Sequence, residues 1–256
     1  MAESTRTRER PVTIVTGASK GIGAATARRL AADGHDVVVG YFGDEAGARG
    51  TSEAITAAGG TALALRADVT TEDGVATLFG ATIEQFGTPT GLVNNAGATL
   101  HIGDLAETPV DVVRHVLDLN LLSVVLCCRR AAQVMPPRFG GNGGAILNIS
   151  SAAATLGSAH EYVHYAAAKA GVDALTVGLA AELAGDGVRV NAVAAGIVRT
   201  GIHAAAGDPG RVDRAGAAVP LWRAGEVAEI AAAVAFLLGP DSSYTTGAIL
   251  RVAGGR

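Results

Sequence analysis

From residue 11 onward, short continuous apolar runs alternate with longer alanine-rich stretches of helical pattern. The runs predict strands over 12–16, 36–40, 61–66, 91–95, 144–150, 187–194 and 248–252. Between them the pattern predicts helices over 21–32, 44–58, 71–86, 109–135, 162–184 and 226–238. Parallel strands need a crossover and a helix supplies it, so this alternation implies a parallel sheet covered on both faces. The strands read as unbroken apolar runs, as doubly covered strands should. The expected fold is therefore α/β: a doubly wound, Rossmann-type parallel sheet of seven strands forming one domain over 11–256. Residues 1–10 are polar and read as a solvated tail without the apolar stretch of a signal peptide. Only 196–223 resists the pattern. It holds five glycines, two prolines and an Asp208-Pro209-Gly210 turn signal, and is expected to be a lid tied down by Leu221 and Trp222.

The first strand runs directly into TGASKGIG, Thr16 to Gly23, and a helix follows. Glycines at Gly17, Gly21 and Gly23 allow a tight turn and close approach of backbone to a pyrophosphate. The N–H groups and dipole at the helix start favour the anion. Ser19, Lys20 and Ile22 complete this candidate nucleotide loop. Farther along, Tyr165 and Lys169 lie four apart in a helical stretch and so share one face. A phenol with an ordinary pKa near 10 is a poor acid–base group at neutral pH, and a nearby ammonium favours its ionised form.

With its G-x-x-x-G-x-G spacing, TGASKGIG resembles the short-chain dehydrogenase/reductase superfamily. The resemblance recurs at Ala67-Asp68-Val69, NNAG (Asn94 to Gly97), Asn120, Ser151, YAAAK (Tyr165 to Lys169), NAVAAGIVRT and YTTG, and covers about 11–256. It implies an oxidoreductase that moves a hydride between a nicotinamide cofactor and a small carbonyl or alcohol substrate. It assigns Tyr165 as proton donor or acceptor, Lys169 to the nicotinamide ribose, Ser151 to the substrate oxygen and Asn120 to a relay water. Ser150 and Ser151 fall on opposite sides of a strand, so only one can face the site, and the resemblance points to Ser151. The 14-residue gap from Ser151 to Tyr165 is one longer than the family commonly has, an excess expected as loop near 158–161. Asp68 and Val69 are expected along the adenine and Asn94, Ala96 and Gly97 beneath the adenosine. Gly196, Ile197 and Thr200 are expected near the carboxamide, where Ala195-Gly196 replaces the family's Pro-Gly.

An acidic residue at the end of the second strand would repel a 2′-phosphate, but Tyr41 stands there. Together with Lys20 this favours NADP(H) over NAD(H); Phe42, Asp44 and Glu45 argue the other way. The resemblance also implies a homotetramer built on the helices 109–135 and 162–184 and on the C-terminal segment. Two other functions stand beside the leading one. A reductase of carrier-bound 3-oxoacyl thioesters would want a basic patch, with Arg129, Arg130 and Arg138 the candidates. A non-catalytic dinucleotide sensor would have no need of Ser151, Tyr165 and Lys169 together.

Composition narrows the field. The formal charge of -4 offers no basic stripe for nucleic acid, and the longest apolar runs reach nine residues, against about 20 for a membrane helix. Cys127 and Cys128 are adjacent in a helical pattern, unsuited to a bridge or zinc spacing, and fit a reducing cytoplasmic setting. His160 to His164 spells HEYVH, the H-E-x-x-H zinc pattern, but no third-ligand motif follows, so no metal is expected.

Overall fold

A computed structural model describes residues 10–256; residues 1–9 of the expected tail lie outside the described residues. Arg10 is held in place, donating to Gly34 O (3.1 Å) and Thr61 Oγ1 (2.9 Å) and pairing with Asp36 (3.2 Å). The strands are β1 (Val12–Val15), β2 (Asp36–Tyr41), β3 (Thr61–Arg66), β4 (Gly91–Asn94), β5 (Gly144–Ser151), β6 (Val188–Ala195) and β7 (Ile249–Val252). They form one seven-stranded parallel sheet in the order β3-β2-β1-β4-β5-β6-β7. The helices are α1 (Gly21–Ala32), α2 (Glu45–Ala57), α3 (Glu72–Phe86), α4 (Val110–Leu117), α5 (Ser123–Val134), α6 (Ala153–Leu156), α7 (Val163–Leu183), α8 (Ile202–Ala205), α9 (Arg211–Ala217) and α10 (Val227–Leu238). The doubly wound fold expected from the alternation is the one found.

Strand pleat sorts the core into two layers. Ile14, Val38, Leu92, Ile146 and Val190 pack with α3, α5 and α7 on one face. Val15, Val39, Val93, Leu147 and Val193 pack with α1, α2 and α10 on the other. Local chemistry sets several helix starts: Asp44 accepts from Gly47 N ahead of α2, Thr71 from Gly74 N ahead of α3, and Glu226 with Glu229 forms a capping box on α10. Cys127 and Cys128 are free and buried, and burial pushes both thiols up, Cys128 to about 12. Among the described residues no helix is long and apolar enough to cross a membrane.

Two expectations need correction. The predicted helix 109–135 is α4 and α5 joined by a π-type turn over Asp118–Leu122, which carries Asn120. One such turn re-aims the side chains it holds without ending the helix. Segment 196–223 is not irregular, because it contains α8 and α9. Its anchors are also not Leu221 and Trp222, which are 62% and 81% exposed; Ile197, Val212 and Ala224 pack together instead. Short helices rich in Ala and Gly leave too weak a periodicity to read, and an apolar residue beside a turn need not point inward.

Candidate active site

The sheet order reverses between β1 and β4, and the loops leaving these strands flank a crevice, the usual ligand position in such folds. A cleft of about 410 Å³ opens there, running from Gly17, Lys20 and Gly21 past Gly97 and Asn120 to Ser151, Tyr165 and His203. Gly17 and Gly21 adopt φ of +61° and +58°, a left-handed backbone that glycine takes without strain. A Cβ on Gly23 would lie 2.4 Å from both Gly17 O and Asn95 Nδ2, so the turn closes only without one. No side chain caps the N-terminus of α1, leaving its first N–H groups available to an anion. Glycine-lined backbone and an uncapped helix start together fit the pyrophosphate of a dinucleotide.

The side chains expected to react come from three elements. Ser151 ends β5, Tyr165 and Lys169 sit one turn apart on α7, and Asn120 lies in the π-type turn; all four line the cleft. Asn120 is fully buried and accepts from Ala98 N (3.2 Å) while donating to Ala98 O (2.8 Å) and Val116 O (2.9 Å). Lys169 Nζ donates to Ile149 O at 2.9 Å and stands 5.6 Å from the centroid of the Tyr165 ring. Burial pushes Lys169 down to about 8, with Asp173 acting the other way. Burial pushes the Tyr165 phenol well above its ordinary value, partly offset by the neighbouring Ser151 hydroxyl. The neutral phenol is thus the favoured form in this pocket, a state ready to donate a proton. Ser150 faces away from Ser151, its hydroxyl directed at Lys169 O (3.5 Å).

Of the expected cofactor residues, Gly17, Ser19, Lys20, Gly21, Ile22, Ala96, Gly97, Gly196, Ile197 and Thr200 line the cleft. Gly23 lies behind the loop, and Tyr41, Asp68 and Val69 sit beyond the cleft at the ends of β2 and β3. Asp68 there accepts from Thr70 N (3.0 Å) and Thr70 Oγ1 (2.6 Å). Asn94 needs correction: its amide points into the core, donating to Asn148 Oδ1 (2.8 Å) and Cys128 Sγ (3.3 Å). The neighbouring Asn95, inside the NNAG stretch but not among the residues singled out as binding cofactor, lines the cleft and donates from Nδ2 to Thr16 O and Gly17 O, both at 2.9 Å, which fixes the glycine loop. Strand alternation offered the signal, since Asn94 and Asn95 must point to opposite sides. Tyr162, His203, Leu100 and Leu156 also line the cleft; Tyr162 lies within HEYVH, and the other three carry no local motif that would have found them.

The HEYVH segment is not a regular helix. Ser158 and His160 take left-handed φ of +50° and +62°, where the extra loop residue was expected, and α7 begins only at Val163. His160 Nδ1 meets Asp104 at 2.9 Å, whereas His164 is buried in α7. The two imidazoles therefore cannot share a metal as the motif requires. No cluster of three or more His, Cys, Asp or Glu suited to a metal occurs among the described residues.

The family model described as Enoyl-(Acyl carrier protein) reductase matches residues 17–256. The chain is 43% identical over 246 residues to the uncharacterized oxidoreductase YgfF of Escherichia coli K12, covering 96% of this chain and 99% of that one. It superposes with a TM-score of 0.87 at 36% identity on a blue fluorescent protein from a metagenomic library in complex with NADPH, covering 96% of this chain and 97% of that one. A doubly substituted short-chain dehydrogenase/reductase of Serratia marcescens gives a TM-score of 0.88 at 34% identity, with the same coverage. Fold, glycine loop, YxxxK helix and these likenesses agree, and the chain belongs to the short-chain dehydrogenase/reductase superfamily as an oxidoreductase acting on CH–OH groups.

Proposed function

We propose that this chain interconverts a small carbonyl compound and its secondary alcohol with NADP(H), using Tyr165 as general acid and base. One observation carries the reading: Ser151, Tyr165, Lys169 and Asn120 line the same cleft as the glycine loop. The bound nicotinamide would supply or take up the hydride. Tyr165 Oη–H gives its proton to the carbonyl oxygen as charge develops there, and the Ser151 hydroxyl donates to the same oxygen. In the reverse direction Tyr165 takes the alcohol proton, and the Lys169 ammonium beside its ring favours the phenolate. Asn120, locked by three hydrogen bonds, fixes the cleft floor beside Gly97. NADPH oxidation against ketones, aldehydes and 3-oxoacyl thioesters tests the reading; turnover of ketones supports it, and no turnover of any of them refutes it.

Two cations support NADP(H). Lys20 is exposed at the cleft mouth, and Arg66 at the end of β3 reaches back to Phe42, donating to its carbonyl at 3.1 Å with the guanidinium 5.6 Å over its ring. Both flank the end of β2, where Tyr41 brings no charge. Asp44, 3.7 Å from Lys20, opposes them, but its carboxylate is engaged in capping α2 and is held below its usual range chiefly by the Gly47 N–H. Lys20→Ala is expected to weaken NADPH on the order of tenfold and NADH hardly at all, since the ammonium meets only the 2′-phosphate. Fluorescence titration checks this, and equal weakening of both would remove Lys20 from that role.

The carrier-thioester alternative loses its proposed patch. Arg129 pairs with Glu72 (2.8 Å), Arg138 with Asp186 (3.0 Å), and Arg130 donates to Gln133 Oε1 (3.4 Å); none lines the cleft. A homotetramer is supported by two separate apolar surfaces. Leu122 and Val177 are exposed on the α5 and α7 side, and Phe236, Tyr244 and Leu250 near the C-terminus. Light scattering at micromolar concentration is expected to give four times the chain mass; a monomer mass would refute it. The buried free thiols favour a reducing cytoplasmic setting. Segment 196–223 borders the cleft through Thr200, Ile202 and His203 and is placed to act as the lid over it.

A further inference from the structure

The HEYVH segment, which no metal chemistry explains, is a junction between the loops that rim the cleft. Gly103 N donates to Glu161 O at 2.8 Å, and His160 meets Asp104, fixing the junction to the loop before α4. From the opposite rim comes Arg211, the first residue of α9. Its NH2 reaches Glu161 Oε2 at 2.6 Å and Tyr162 Oη at 3.0 Å, and its guanidinium lies 5.3 Å over the Tyr162 ring. The Tyr162 ring in turn stands edge-on to Tyr165, with centroids 5.5 Å apart at 87°. Three side chains thus run in one line from the lid segment to the reacting phenol.

The Arg211 side chain is only 9% exposed, and its Nε has no hydrogen-bond partner among the described residues. Burying a guanidinium is unfavourable unless a carboxylate and further acceptors compensate, and Glu161 with Tyr162 supplies that compensation. The stretch is otherwise held by the small cluster of Ile197, Val212 and Ala224, by buried Val219, and by the more exposed Arg199–Asp213 (2.8 Å) and Arg214–Asp208 (2.6 Å) pairs. The Arg211–Glu161 pair is the most buried of the ion pairs made by α9, and it is the one that ties this helix to Tyr162. Tyr162 is also a wall of the cleft and the aromatic neighbour of Tyr165.

We propose that Arg211 is a positioning residue: through Glu161 and Tyr162 it locks the lid helix against the ring that sets the orientation of the Tyr165 phenol. The inference rests on Tyr165 being the general acid and base. A proton donor displaced by a fraction of an ångström loses rate, whereas cofactor held on the glycine loop is unaffected.

The test uses the full chain with NADPH and a ketone found in the substrate panel. Arg211→Met is expected to lower kcat about tenfold or more while the NADPH Kd stays within about twofold. Arg211→Lys, which keeps the ion pair with Glu161, is expected to recover part of the loss. In a Tyr162→Phe background the same Arg211→Met change is expected to cost less than about threefold, because the path through the Tyr162 hydroxyl is already broken. Unchanged kcat in Arg211→Met, or an equal loss in both backgrounds, overturns the proposal. Should circular dichroism show Arg211→Met unfolded, Tyr162→Phe decides alone: lowered kcat with unchanged NADPH Kd supports the inference and wild-type kcat overturns it. A Tyr165→Phe variant separates the two ideas. If it stays active the general-acid reading fails, whereas a dead Tyr165→Phe beside a fully active Arg211→Met sinks only the role of Arg211.

Discussion

Tyr165→Phe is expected to lower kcat by at least about a hundredfold while leaving NADPH affinity nearly intact. The change removes one hydroxyl and keeps the ring, which packs with Val116, Ala153, Tyr162 and Ala166. Ser151 can still donate a hydrogen bond to the substrate oxygen, but an aliphatic hydroxyl is too weak an acid to replace the phenol as proton donor at neutral pH. The fold should survive, because the ring and its packing are kept and burial already disfavours the ionised phenol. Steady-state rates with the best ketone and a fluorescence titration with NADPH check both halves. A variant retaining most of its activity would place the proton donor elsewhere.

Lys169→Met is expected to be inactive and, at neutral pH, more stable than the parent chain. The ammonium is buried, and its pKa falls to about 8 from an ordinary value of about 10.4. Between those values the unfolded chain binds more protons than the folded one, so stability rises as pH climbs through that window. Below about pH 8 the full penalty for the buried cation is present, on the order of 3 kcal/mol. Methionine removes it but leaves Ile149 O without its donor, at a cost of about 1 kcal/mol. The net gain at pH 7 is therefore about 2 kcal/mol, turning into a loss of about 1 kcal/mol above about pH 10.5. Urea denaturation at the two pH values measures it, and a difference between variant and parent that does not change with pH would rule out the buried cation as its source. Activity at this position is held against stability, as is common at reacting sites.

Local periodicity carried the elements. Continuous apolar strands, alanine-rich helices and the glycine spacing of 16–23 are all set within a few residues of chain, so sheet class, phosphate loop and the shared face of Tyr165 and Lys169 are legible in the sequence. So is the opposite facing of Ser150 and Ser151, because the pleat turns neighbours to opposite sides. The same rule applied to Asn94 and Asn95 points to the cleft residue; NNAG reads as one block, and the alternation within it is what separates a core amide from a loop-fixing one.

Other features depended on packing between distant segments. Arg66 reaches the end of β2 only because β3 pairs with β2 in that register. Asn120 points at Ala98 only because one π-type turn interrupts the α4–α5 helix, a shift that no side-chain pattern announces. Glu161 and Arg211 lie 50 residues apart, on a left-handed loop and a seven-residue helix, and each alone reads as a solvated charge. A residue's own neighbours in sequence fix its backbone state and the side on which it points. Which groups meet there depends on strand order, helix crossings and the burial they produce, and those energies exist only once the chain has closed upon itself.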